Sequence, residues 1–298
     1  MEKIEITYND VLGNELSVIC RTLSSCIVTD ITKKDGYDIN KNNYHLLTDN
    51  EKYITGLFKI ISNMDTCLFS IESSCLFMRR FYGKEYYKKH KINVIDYSLY
   101  HYDVLCYKIS TLKDLYFKII NHLYELNLIE KKCNWKNIEK CKSEINNPFL
   151  FSLLMDNFQY LNTIDKRRNK SAHEGIMEHK AFEDISPYVT FTMYADQMPA
   201  HISQDLIITR GSLLDWKLQE SRKKLFKEAE ACRYNAFVFT RCILCSLSNK
   251  FASMLDNDIK SKYSEAIAEA FRVILKRDCI NNAHPNECPN SPNYVCSL

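Results

Sequence analysis

Glycine and proline are both scarce in this sequence, with 6 of each among 298 residues. So few enforced turns exclude a sheet of many short strands and favour long helices. Long apolar runs are missing as well, because the most apolar later segment, residues 236–247, is short and contains Arg241. The N-terminus also lacks the basic start and apolar run of a secretory signal. We therefore expect a soluble, cytoplasmic protein without a transmembrane helix.

The excess of basic over acidic residues is also small. The chain has 40 Lys and Arg against 37 Asp and Glu, which gives a formal net charge of +3. A general nucleic-acid-binding protein usually has a stronger basic excess, so any contact with nucleic acid has to come from a local patch. The hydrophobic content of 46% is ample for a core.

Cysteine, by contrast, is abundant, with 13 residues scattered through segments that read as helices. The number is odd, and we interpret these residues as core positions in a reducing compartment. The pair Cys242 and Cys245 lies in an apolar segment and has no second pair to complete four zinc ligands. The tail residues Cys279, His284, Cys288 and Cys296 match no strong zinc spacing. The sequence therefore predicts no metal and no other cofactor.

Apolar residues at helical spacing predict a mainly all-α protein. The predicted helices cover residues 49–80, 94–128, 147–175, 212–255 and about 259–276. Residues 188–194 alternate as a strand does, and residues 206–209 are a candidate partner, so a small β-hairpin is expected within residues 186–210. Ile4, Ile6 and Tyr8 alternate in the same way, whereas residues 16–31 are compatible with a strand or a helix.

The helix at residues 147–175 carries the most informative residues. Asn147 is a good N-cap, and Pro148 suits the first helical position. One core-facing stripe is formed by Leu150, Leu153, Leu154, Phe158, Leu161 and Ile164. If helical phase continues, Asp165, Asn169 and His173 form a polar stripe, with Arg168 beside Asn169.

This grouping suits phosphodiester chemistry on RNA without a metal. Histidine titrates near neutral pH, so His173 can move the proton of a 2′-hydroxyl or of the leaving oxygen. The guanidinium of Arg168 can grip phosphate oxygens and stabilise the charge of the transition state. Asn169 can orient these groups, and Asp165 can fix the histidine tautomer if it lies close enough.

The run from Arg168 through Asn169 to His173 resembles the signature of the HEPN family, an arginine and a polar residue followed by a histidine after a short gap. The resemblance implies a helical bundle that often dimerises, so that two motifs form one metal-independent endoribonuclease site whose products end in a 2′,3′-cyclic phosphate. It implies that Arg168, Asn169 and His173 are catalytic, with supporting residues Asp165, Arg167 and Glu174. It also suggests a toxin or phage-defence role, with an antitoxin or another protein as a partner.

The resemblance sets the expected domain limits. Residues 49–278 would form the HEPN-like domain, with the motif helix at residues 147–180. Residues 1–48 are left unassigned, and residues 279–298 form an irregular tail.

Two other interpretations of the motif remain open. One is an ordinary solvated helix end, because basic residues are favourable near a helix C-terminus. The other is a HEPN-like module that binds a nucleotide or a partner protein without cleaving RNA. A zinc site from His173, Glu174 and His179 is excluded, because two histidines six residues apart do not share a helical face.

A second basic region lies near residues 79–91. Basic candidates for RNA binding there are Arg79, Arg80, Lys84 and Lys88, and aromatic residues alternate with them. Such a mixture can hold phosphates and stack bases. A solvated helix end with a tyrosine-rich loop is the alternative.

Overall fold

The computed structural model describes residues 6–81, 84–175, 177–194, 197–201 and 212–281. Within these ranges the regular structure is helical and contains no strand, so the all-α prediction is confirmed. The α-helices are α1 (Tyr8–Leu12), α2 (Glu15–Ile31), α3 (Asp49–Arg79), α4 (Lys84–Lys89), α5 (Val94–Leu123), α6 (Trp135–Lys140), α7 (Lys142–Ile145), α8 (Pro148–Glu174), α9 (Ser186–Met193), α10 (Ser212–Met254), α11 (Asn257–Lys262) and α12 (Ser264–Asn281). Short 3₁₀ turns occur at Tyr44–Leu46 and Glu130–Lys132.

Helices α3 and α5 form a long antiparallel pair. The rings of Phe77 and His101 lie 5.0 Å apart near one end, and His122 Nε2 lies 2.8 Å from the carbonyl oxygen of Tyr53 near the other. The start of α3 is fixed by Thr48, whose hydroxyl accepts from the backbone N–H of Glu51 while that carboxylate accepts from the N–H of Thr48. The sequence offers Asp49 or Asn50 as the cap of this helix, and the structure places the cap directly before them, at Thr48.

Helix α8 packs antiparallel to α5. The rings of Phe117 and Phe158 stack 5.7 Å apart, and the hydroxyl of Ser110 donates to Asp165 Oδ1 at 2.7 Å. The C-terminal end of α8 therefore lies beside the N-terminal half of α5. This is also the end of the bundle at which α3 finishes.

The 43-residue helix α10 crosses the pair and covers it. Its apolar side contributes Leu225, Ala229, Phe237, Leu244 and Leu247 to the core. The hydroxyl of Tyr116 on α5 lies 2.8 Å from that of Thr240 on α10. Helix α2 packs against α3, α10 and α12, so residues 15–31 belong to the same hydrophobic core.

Several local expectations were wrong. Residues 186–193 form α9 instead of a strand, because Ser186-Pro187 opens the first turn of a helix and the N–H of Val189 donates to the carbonyl of Ile185 at 3.1 Å. Residues 206–209 lie outside the described ranges. Tyr8 begins α1 instead of belonging to a strand. Residues 16–31, which the sequence left open between a strand and a helix, belong to the helix α2. The helix expected at about 259–276 is divided at Tyr263 into α11 and α12.

Within the described residues, no helix combines the length and the apolar content that crossing a membrane requires.

Candidate functional site

The motif residues occupy the last two turns of α8, whose limits follow from its sequence. The side chain of Asn147 accepts from the N–H of Leu150 at 3.0 Å, and Pro148 occupies the first turn, as predicted. At the other end Gly175 has φ +71°, and its N–H donates to the carbonyl of Ser171 at 2.8 Å. A left-handed glycine is a common way to end a helix. The chain therefore leaves α8 directly after the motif.

Arg168 and Asn169 form a hydrogen-bonded pair near the end of α8, with Arg168 half-buried. Nη1 of Arg168 donates to Oδ1 of Asn169 at 2.8 Å, and the guanidinium carbon lies 5.7 Å from the ring centroid of Tyr107. Nε of Arg168 is buried and has no hydrogen-bond acceptor within the described part of the chain. Asn169 and His173 are exposed. The side chains of Asn169 and His173 are thus open to a ligand, whereas Nε of Arg168 is not.

The carboxylate of Asp165 is bonded to two residues of α5. Its Oδ1 accepts from Ser110 at 2.7 Å, and its Oδ2 forms an ion pair with Lys113. His173 lies eight residues further along the helix, which is a rise of about 12 Å. Asp165 therefore holds α8 on α5 and does not reach His173 to fix its tautomer.

Arg167, the sequence neighbour of Arg168, is directed toward α5 and α10, although 35% of its side chain stays exposed. Its Nη1 bonds to Glu228 Oε1 on α10 and to the hydroxyl of Tyr102 on α5. The hydroxyl of Tyr102 donates to the same Oε1 at 2.8 Å, and His179 Nε2 lies 3.0 Å from Oε2 of Glu228. We call these four residues, Tyr102, Arg167, His179 and Glu228, the inner polar cluster. It joins the segment after α8 to α5, α8 and α10.

Hydrogen bonds define the protonation of the inner polar cluster. The N–H of Ala181 donates to Nδ1 of His179 at 3.1 Å, so Nε2 carries the proton and donates to Glu228. The bond from His179 and those from Arg167 and Tyr102 lower the pKa of Glu228 to about 2, against the opposing effect of burial. Burial raises the pKa of Tyr102. The cluster therefore holds a carboxylate, a guanidinium and a neutral imidazole.

The comparison with protein families decides the classification. A family model described as Cthe2314-like HEPN matches residues 53–210, which is more than half of the chain. The chain belongs to the HEPN family. No curated protein and no solved structure matches it. The region matched to HEPN contains most of α3 and all of α4 to α9, and therefore the complete motif, whereas Glu228 of the inner polar cluster lies outside it.

The other residues predicted for the site lie at the end of α8, for the supporting residue Glu174, and near α3 and α4, for the basic RNA-binding candidates. Glu174 is exposed and lies 3.7 Å from Nζ of Lys170. Arg79 and Arg80 are exposed at the end of α3. Lys84 and Lys88 belong to α4, but their side chains lie outside the described part of the structure.

Sequence reasoning missed Tyr102, His179 and Glu228 as partners of Arg167. His179 was considered only as a zinc ligand, and its carboxylate partner lies 49 residues further along the chain. Nothing in the local pattern of α10 distinguishes Glu228 from the other charged residues of that helix. Only the packing of α10 across α5 and α8 brings the cluster together.

Metal ligation finds no support in the described residues, where no three His, Cys, Asp or Glu side chains converge. The tail residues His284, Cys288 and Cys296 lie beyond those residues, and so does the side chain of Cys279. Cys245 is exposed on α10, so its assignment to the core was wrong.

Proposed function

We propose that this HEPN protein is a metal-independent endoribonuclease that cleaves RNA by attack of the 2′-hydroxyl on the adjacent phosphate. The observation that carries the proposal is the hydrogen-bonded pair of the half-buried Arg168 and the exposed Asn169, followed one turn later by the exposed His173. Arg168 would bind the phosphate and stabilise its added negative charge in the transition state. His173 would transfer the proton. Asn169 would hold the guanidinium in place.

We propose that the active form is a homodimer. Arg168 and His173 are five residues apart on a helix, so they differ by about 140° in direction and about 7.5 Å along the axis. One copy therefore directs them away from a common phosphate. A second copy that faces the first would place Arg168 of one protomer near His173 of the other, as the HEPN resemblance implies.

The second candidate is a HEPN module that binds a nucleotide or a partner protein without cleavage. The observation that favours it is the exposure of His173 on an open helix end rather than in a cleft shared with Arg168. Under either candidate, a cytoplasmic location, a toxin or phage-defence role and an antitoxin partner are proposals that the HEPN resemblance supports. We also propose residues 49–278 as the limits of the HEPN domain.

The test is cleavage of a mixed RNA substrate in the presence of a chelator. The purified protein is compared with His173→Ala and Arg168→Ala. The controls are His45→Ala, which removes an exposed histidine outside α8, and Lys166→Ala, which removes an exposed basic residue of α8 that is not part of the motif. We expect loss of cleavage in the two motif variants only, with folding and oligomeric state preserved. The products of the unmodified protein should carry 2′,3′-cyclic phosphate ends.

Cleavage that persists equally in all five proteins would identify a contaminating nuclease and remove the proposal. No cleavage of several RNAs by the unmodified protein would favour the binding module. A requirement for an added divalent cation would contradict the metal-independent mechanism.

A further inference from the structure

Aromatic rings from α3, α4 and α5 form a continuous cluster near the motif. The ring of Phe81 lies 5.1 Å from those of Tyr87 and Tyr97, and Tyr97 lies 4.5 Å from His101. Aromatic pairs at these separations stabilise one another. We call this set the aromatic cluster: Phe77, Phe81, Tyr86, Tyr87, Tyr97, Tyr100 and His101.

Three rings of the aromatic cluster are largely open to solvent. Tyr86 and Tyr100 are each 65% exposed, and Phe77 is 51% exposed. Neighbouring rings contact each of them, since Tyr86 lies 5.8 Å from Tyr87 and Tyr100 lies 5.2 Å from His101. The exposed faces are thus held by packing before any ligand binds, which reduces the entropy lost on binding.

The surroundings of the aromatic cluster are basic. Residues 77–107 contain six Lys and Arg and three Asp and Glu, so this stretch alone has a net charge of +3, as large as that of the complete chain. An aromatic surface with a positive field suits a ligand that has flat apolar bases on an anionic backbone.

The helix register places the aromatic cluster beside the motif. The guanidinium of Arg168 lies over the ring of Tyr107, and α5 and α8 are antiparallel. Tyr100 lies seven residues, or about two turns, before Tyr107 on the same side of α5. Gly175 lies the same number of residues after Arg168, directly after α8. Tyr100 is therefore level with the end of α8, next to the turn that carries His173.

We infer that the aromatic cluster binds the bases of single-stranded RNA, with Tyr86 and Tyr100 as stacking surfaces, while the phosphates run toward Arg168. The inference rests on the proposed function and names its substrate class. Bases in a duplex are stacked on each other and cannot lie on a side chain, whereas unpaired bases are free to do so. The enzyme would therefore select unpaired segments of RNA.

The test measures binding rather than cleavage. Single-stranded oligouridine and oligoadenosine with 2′-O-methyl groups cannot be cleaved by 2′-hydroxyl attack, so their affinity is independent of catalysis. Fluorescence anisotropy would compare the unmodified protein with the double variant Tyr86→Ala/Tyr100→Ala. The double variant Tyr86→Phe/Tyr100→Phe keeps both rings, and Phe149→Ala removes an exposed ring at the far end of α8.

We expect the double alanine variant to bind at least about tenfold more weakly, because a base stacked on an aromatic residue contributes that much or more. The phenylalanine variant and Phe149→Ala should bind as the unmodified protein does, and a duplex of the same length should bind more weakly than either single strand. On a cleavable RNA the alanine variant should raise KM while kcat stays nearly constant.

Equal affinity of the alanine variant and the unmodified protein would overturn the inference. So would preferential binding of the duplex, or dissociation of a dimer by the alanine variant, which would identify the surface as an interface between two copies. If no RNA is cleaved but the alanine variant still loses affinity, the nuclease proposal fails and the stacking surface stands. If RNA is cleaved but the alanine variant keeps its affinity, the nuclease proposal stands and the stacking surface fails.

Discussion

Arg167 and Arg168 are neighbours in sequence with opposite surroundings. Arg167 is directed toward α5 and α10, where its Nη1 donates to the carboxylate of Glu228 and to the hydroxyl of Tyr102. Arg168 lies over the ring of Tyr107, where its Nη1 donates to Asn169. Arg167 is paired with a carboxylate of its own chain, whereas the bond of Arg168 to Asn169 leaves its positive charge without neutralisation by that partner.

This contrast separates two roles at one helix end. A guanidinium whose donors are satisfied within the chain stabilises the fold, because its removal leaves a carboxylate without its partner. A guanidinium bonded to a neutral amide leaves no partner charge unpaired when it is removed, and its own charge is available for an anion. Substitutions at the two arginines and at their partners should therefore divide into those that lower stability and those that lower activity.

The largest expected effect is on activity. Arg168→Ala should lower kcat for RNA cleavage by at least about 100-fold, because it removes a group that stabilises the charged transition state. Its Tm should remain close to that of the unmodified protein. Arg167→Ala should give the opposite result, with a free energy of unfolding lower by about 1–2 kcal/mol. Denaturant titration and single-turnover cleavage of both variants provide the measurement, and equal losses of activity would remove the distinction.

The next effect is on stability. Glu228→Ala should lower the free energy of unfolding by about 2 kcal/mol, because it leaves Arg167, Tyr102 and His179 without their acceptor in a site that is only partly exposed. Glu220→Ala is the matched control, since Glu220 forms an exposed pair with Lys224 on the same helix. The control should change stability by less than about 0.5 kcal/mol. Similar values for both variants in urea titrations would mean that the inner polar cluster has no special weight.

The long helices could be predicted because their signals are local. Asn147 and Pro148 mark the start of α8 and Gly175 marks its end, and the apolar stripe between them follows the helical repeat. The strand predicted within residues 186–193 was wrong because eight residues are too few to distinguish an alternating pattern from two turns of a helix. The Ser186-Pro187 pair was the better signal, and it marks a helix start.

The motif itself was visible in the sequence, but the direction of its side chains was not. Helical spacing placed Asp165 in the polar stripe with His173, yet packing on α5 gives its carboxylate to Ser110 and Lys113. The inner polar cluster joins residues as far as 126 positions apart, from Tyr102 to Glu228. Pairing over that distance is a property of the tertiary structure and has no local pattern.

Acid should weaken the inner polar cluster through the carboxylate of Glu228. The pKa of Glu228 lies at about 2 in the folded protein and at 4.5 ordinarily. Because the folded value is the lower one, the contribution of this carboxylate is complete above about pH 4.5 and is lost as the pH falls toward 2. Glu228→Gln should therefore reduce the slope of stability against pH in this window. An unchanged slope in urea titrations at several pH values would show that other carboxylates account for it.

The smallest expected effect concerns the residue that ends the motif helix. Gly175→Ala should lower the free energy of unfolding by about 1 kcal/mol, because alanine is strained at a positive φ. No atom lies within 4 Å of the added Cβ in the described part of the chain, so the backbone strain acts alone. Gly175→Asn should cost about half as much, since asparagine tolerates the left-handed region better. If Gly175→Ala loses more RNA cleavage than its loss of stability explains, the end of α8 also sets the position of His173. If the two losses are parallel, Gly175 has a role in folding only.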